Sequence, residues 1–163
     1  MPSLYLLRHG IAAPHGADPG LSDTGRERMR RQGRGLARLG LRPDLILTSP
    51  LARAEETARV LSETLGLEEA VRVEEELSPG CAAAELISVL ERHAAAGRLL
   101  AVGHQPDLGV LAGSLLGCRF AIPFDKGSLC GFETPSWAAM IAGHPARLVF
   151  FLPPDALVAL GAD

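Results

Sequence analysis

"LYLLRHG", residues 4–10, decides how this chain is read. Four apolar residues, Leu4, Tyr5, Leu6 and Leu7, run without alternation and stop at Arg8, His9 and Gly10. An unbroken apolar run suits a strand buried on both faces, and such strands belong to parallel sheets with helices on either side. The run ends on two polar, potentially cationic side chains. Either the strand surfaces there into water, or it delivers the pair to something negative.

Outward from this run, strand-like segments recur at Leu45–Thr48, Ala70–Val73, Leu99–Val102, Leu129–Phe132 and Leu148–Leu152. Helix-like segments separate them. One follows Ser22, with Met29, Gly33, Leu36 and Ala37 as its apolar stripe; a second runs from Pro50 to Leu65; a third covers Ala83 to Ala94; a fourth starts at Pro106. Ser49-Pro50 reads as an N-cap followed by proline at the first helical position. Gly40 and Gly66 read as helix stops. "LPPD", 152–155, is expected to close the last strand. Alternating β and α units predict an α/β fold in one domain over 1–163, a three-layer sandwich whose mostly parallel central sheet is flanked by helices.

Composition agrees. Of the 163 residues 47% are hydrophobic, which suits a globular chain with a real core rather than a disordered one. No apolar run approaches the roughly 20 residues of a membrane helix. The N-terminus shows no basic segment leading into an apolar stretch, so a secretory leader is not expected. The three cysteines, Cys81, Cys118 and Cys130, are widely spaced and form no CxxC pair. They read as reduced thiols, and the expected location is cytoplasmic. A net charge of −3 without a basic patch argues against nucleic acid as a partner, as the hydropathy does against a membrane. Lys126 is the only lysine, so a lone arginine carries little information here and position must argue instead.

In open α/β sheets ligands bind beyond the carboxyl ends of the strands. After the first strand come Arg8, His9 and Gly10; after the second comes "SPLARAEETA", 49–58, with Arg53 in a first helical turn; after the fourth come Gly103, His104, Gln105 and Pro106. Two histidines, two arginines and two helix N-termini therefore converge on one edge. Helix N-termini favour anions, and guanidiniums offer planar forks suited to phosphate. A neutral imidazole is a competent nucleophile toward phosphorus, giving a phosphohistidine that water hydrolyses. Arg8 and Arg53 would hold the phosphoryl oxygens, and a second, protonated histidine would donate to one of them. No metal or other cofactor is called for. His9 is taken as the nucleophile and His104 as its electrostatic partner, although spacing alone does not decide between them.

These residues resemble the histidine phosphatase superfamily, the group that includes phosphoglycerate mutases. "RHG", 8–10, is the hallmark; "LSDTG", 21–25, "PDLILTSPLARAEETA", 43–58, and "VGHQP", 102–106, are similar to its further motifs, in the same order. The resemblance implies Arg8, His9, Arg53 and His104 as the catalytic residues, with Arg8, Arg53 and His104 also binding substrate. The short chain and the "RHGIAAP" opening are similar to SixA-type phosphohistidine phosphatases. Glu76, in "EEELSPG", lies where mutase-like members place an acidic proton donor, and it is carried as a catalytic candidate. The chain departs from the mutase pattern in three ways: "IAAPHGADPG" holds no asparagine, Gln105 stands where some members have an acid, and no large lid lies between Leu77 and Leu99.

The expected substrate is a protein phosphohistidine, for example on a histidine phosphotransfer domain, because imidazole leaves readily without a strong acid. A phosphatase for small phosphate esters is the alternative, and a weakly catalytic phospho-binding module is a third reading. Zinc held by the two histidines lacks a third ligand at suitable spacing. His15, His93 and His144 read as surface or loop residues, Ser22 and Thr24 as helix caps, and Lys126 as a solvated side chain or a pocket rim.

Overall fold

In the computed structural model, which describes residues 1–163, β1 (Ser3–Arg8) is buried on both faces. Leu4 and Leu6 enter one apolar cluster, and Tyr5 and Leu7 enter another on the opposite side. This is why the run shows no polar alternation. β2 (Leu45–Thr48), β3 (Val71–Val73), β4 (Arg98–Gly103), β5 (Leu129–Glu133) and β6 (Arg147–Leu152) complete one sheet in the order β3-β2-β4-β1-β5-β6.

The helices divide between the faces. α1 (Asp23–Arg38), α2 (Ala52–Leu65) and α6 (Pro154–Leu160) bury Met29, Leu36, Leu61 and Leu157 against one side. α3 (Ala83–Arg92), α4 (Asp107–Leu115) and α5 (Trp137–Ile141) bury Val89, Leu111 and Trp137 against the other. No helix is long and apolar enough to cross a membrane.

The sheet is mixed, not mostly parallel as expected. β3, β2, β4 and β1 pair in parallel, but β5 is antiparallel to both β1 and β6. The reason is the segment after α4. It climbs back to the carboxyl edge, where Gly127 N–H donates to the Arg8 carbonyl at 3.0 Å, so β5 begins at that edge and must descend.

Caps fix the local geometry. Ser22 Oγ accepts from Gly25 N–H at 2.9 Å and starts α1. Gly25 has no side chain because a Cβ would lie 2.1 Å from the Ile11 carbonyl oxygen. Gly66, at φ 64°, ends α2 in the left-handed conformation, as expected. The start of α2 differs from expectation. Ser49 Oγ accepts from Leu51 N–H at 3.2 Å, while both Asp18 carboxylate oxygens accept from Ala52 N–H at 3.1 Å. The capping charge thus comes from the loop after β1, which no local pattern announces. The prolines at 153–154 end β6 and also open α6, an element not anticipated from the sequence.

Candidate active site

β1 and β4 are neighbours in register, with Arg8 opposite Gly103, so the next residue of each strand is a histidine beside a histidine. The ring centroids of His9 and His104 lie 5.1 Å apart. β2 flanks β4 on its far side, and Ser49 N–H donates to the Val102 carbonyl at 3.1 Å. Three adjacent strand ends therefore present Ser49, His104 and the Arg8-His9 pair on one line. The first turn of α2 adds Arg53, whose Nε donates to His9 Nε2 at 3.3 Å. Arg8, His9, Arg53 and His104, four of the five residues singled out from the sequence, come together.

Each ring is held. His9 Nδ1 lies 2.7 Å from the Gly10 carbonyl oxygen, so that nitrogen is the N–H donor and the Nε2 lone pair faces Arg53. Thr57 clamps the loop: its Oγ accepts from Gly10 N–H at 3.0 Å and donates to the Arg53 carbonyl at 2.7 Å. His104 Nε2 is 2.8 Å from Ser49 Oγ. Arg8 Nη1 donates to the Phe124 carbonyl at 2.8 Å, while its Nε is buried with no partner in the protein. Neither Ser49 nor Thr57 was marked as a site residue from the sequence. The signal for Thr57 was its place one helical turn after Arg53; Ser49 was masked by its reading as a cap.

Arg8, His9, Arg53 and His104 line an open cavity of about 290 Å³ together with Ala12, Pro19, Pro79, Gln105 and Lys126. Lys126 is thus at the pocket. No set of three His, Cys, Asp or Glu side chains gathers here or elsewhere. The charge of the cavity is cationic, and it comes from arginine and lysine.

That setting keeps both imidazoles neutral. His9 and His104 are 5% and 3% exposed, and burial pushes each from the ordinary 6.5 down to about 4. Arg53, Arg8 and Lys126 depress His9 further; His9, Arg53 and Arg8 do the same to His104. Arg8 is itself lowered by burial, with Asp125 opposing. His104 is therefore a neutral group at pH 7, not the protonated donor expected. A consequence for stability follows from linkage. Below the ordinary value the unfolded chain takes up protons that the native rings refuse, so stability falls as pH drops through this range toward 4. The urea midpoint should be lower at about pH 5 than at about pH 7.5, and His104→Gln should lose less between those conditions than the parent chain. An equal loss in both would show that His104 titrates alike in the folded and unfolded states.

Glu76 is not brought to the cavity. Its carboxylate is exposed and paired with Arg92 of α3, and that hydrogen bond holds it below the usual carboxylate range. The short β3 and the turn after it aim the segment so that Pro79, not an acid, reaches the cavity. Glu74 pairs with both Arg92 and His93, which accounts for His93; His15 and His144 are exposed.

Comparison with known proteins bears on this geometry. Residues 4–78 match the model of the histidine phosphatase superfamily (branch 1). An uncharacterized protein of Picosynechococcus sp. is 35% identical over 158 residues, covering 91% of this chain and 94% of that protein. A 2,3-bisphosphoglycerate-dependent phosphoglycerate mutase of Thermobifida fusca is 43% identical over 74 residues, 41% of this chain but only 30% of the mutase. The solved structure of the protein histidine phosphatase SixA complexed with tungstate superposes with a TM-score of 0.84 at 21% identity, covering 95% of this chain and 99% of that one. At that identity the likeness is one of fold. The motif-bearing first half and the full-length relative together carry the assignment: this chain belongs to the histidine phosphatase superfamily and is a phosphatase enzyme.

Proposed function

We propose that the substrate is a phosphohistidine on another protein and that His9 accepts its phosphoryl group. The His9 Nε2 lone pair forms a bond to phosphorus while the bond from phosphorus to the substrate ring nitrogen breaks. The substrate ring, protonated from solvent on its other nitrogen, keeps that electron pair and departs as neutral imidazole. Water then attacks phosphorus, the bond to His9 Nε2 breaks, and inorganic phosphate leaves with neutral His9 restored. Arg8 and Arg53 hold the phosphoryl oxygens throughout, where the charge resides, and His104 donates a hydrogen bond to one of them. Lys126 in the cavity lining adds a further cation.

The observation that carries the substrate reading is the lining of the cavity: no Asp or Glu is among its residues. An alkoxide leaving group needs a positioned acid, worth about 10²–10⁴ in rate, whereas a phosphorylated imidazole can take its proton from solvent on the second ring nitrogen before it leaves. The open cavity, lined in part by Ala12, Pro19 and Pro79, suits a phosphoryl group presented on a protein surface. The SixA-like fold supports the same reading. The partial likeness to phosphoglycerate mutase favours small phosphate esters as the second reading.

Comparing kcat/KM for a phosphorylated histidine phosphotransfer domain with that for phosphoserine and a sugar phosphate, both of which leave as alkoxides, tests the choice. The phosphoprotein should be preferred by roughly hundredfold or more, the worth of the missing acid. Esters turned over equally well would assign the enzyme to small molecules. Tight binding of the phosphoprotein without release of phosphate would make it a reader instead.

A further inference from the structure

Ser49 stands at the end of β2, fully buried, and its hydroxyl is shared between two partners. Its Oγ accepts from Leu51 N–H at 3.2 Å and lies 2.8 Å from His104 Nε2. The other ring nitrogen of His104, Nδ1, is buried and has no partner in the protein. We infer that Ser49 is a positioning residue that sets the tautomer of His104, donating its hydroxyl proton to Nε2 so that Nδ1 carries the N–H offered to the phosphoryl group. This rests on the reading of His104 as a donor to substrate.

Counting donors and acceptors separates the two neutral arrangements. A serine hydroxyl has one proton and two lone pairs, and a neutral imidazole has one N–H and one bare nitrogen. Leu51 N–H occupies one lone pair of Ser49. If Ser49 donates to Nε2, every polar group of the pair is used except Nδ1–H. That donor is the one group of the pair left for a phosphoryl oxygen in the cavity that His104 lines. If instead His104 Nε2–H donates to Ser49, the buried hydroxyl proton has no acceptor, and Nδ1 turns a bare lone pair toward an anion. The second arrangement leaves two groups unpaired and repels the ligand; buried polar groups rarely go unpaired.

The cationic surroundings make the tautomer matter. His9, Arg53 and Arg8 face His104, and with burial they keep it uncharged. An imidazolium would carry a proton on both nitrogens and need no instruction. A neutral ring has one proton, and the bond made by one nitrogen dictates where the proton sits on the other. The strand register supplies that bond: Ser49 lies beside His104 because β2 and β4 end together, with Thr48 opposite Val102.

Nitrogen NMR of the protein labelled at histidine reads the tautomer directly, with the His104 signal identified by its loss in His104→Gln. The unmodified protein should show His104 protonated at Nδ1. Protonation at Nε2 would overturn the inference without any variant. In Ser49→Ala the His104 proton should move wholly or partly to Nε2, while the His9 signal, held by Gly10, stays in place. The same variant should lose on the order of tenfold or more in kcat, as expected for a misdirected hydrogen bond. A Ser49 acting only as a cap for α2 predicts a lower Tm with the tautomer and kcat unmoved, and that result would also overturn the inference. Because the tautomer is measured without substrate, failure of the phosphohistidine assignment leaves this test intact.

Discussion

His9→Ala should abolish turnover, lowering kcat on the order of 10⁴-fold or more, because it removes the atom that takes the phosphoryl group. No other side chain in the cavity is placed to replace it. His104 Nε2 is engaged by Ser49, and the remaining lining residues offer cations, an amide and apolar groups. The variant should still bind inorganic phosphate, since Arg8, Arg53 and Lys126 remain at the cavity. Two measurements check this. Steady-state rates give the loss, and brief exposure of the parent enzyme to labelled substrate, quenched in base, should leave an acid-labile label that His9→Ala lacks. Activity of His9→Ala within tenfold of the parent would move the nucleophile elsewhere.

Arg53→Lys should lower kcat/KM by roughly 100-fold or more while keeping the charge. The guanidinium does two things with one rigid plane. Its Nε–H meets the His9 Nε2 lone pair at 3.3 Å, and the rest of the fork is directed at the cavity it lines. An ammonium is a point donor on a flexible stem and cannot hold the nucleophile and a phosphoryl oxygen in fixed relation. The fold should barely notice, because Arg53 is only half-buried and Thr57 still anchors the residue through its backbone carbonyl. A kcat/KM within threefold of the parent at unchanged Tm would show that the planar fork is not used in the reaction.

Much of this site is legible in the sequence because each member sits next to a local signal. Arg8 and His9 follow an apolar run, His104 follows another, and Arg53 lies in the turn after Ser49-Pro50. Strand ends in an α/β chain are functional addresses, so the residues at those addresses are identified before their distances are known. Glu76 was located by analogy with a motif, not by such a signal. The structure turns its carboxylate to Arg92, because pairing between Glu76 and α3 depends on how the short β3 leaves the sheet.

The order of residues alone marks the six strands and four of the six helices, since burial on one or two faces imposes a period that no distant contact alters. It also determined the site's cationic and imidazole chemistry. The assembled fold alone sets the direction of β5, which depends on the edge where the preceding segment arrives. Only it decided that Asp18 caps α2 and that Ser49 meets His104, 55 residues away. Hydrogen-bond partners across a sheet are chosen by register and strand order, and those are properties of the assembled fold, with no trace in the local pattern of either partner.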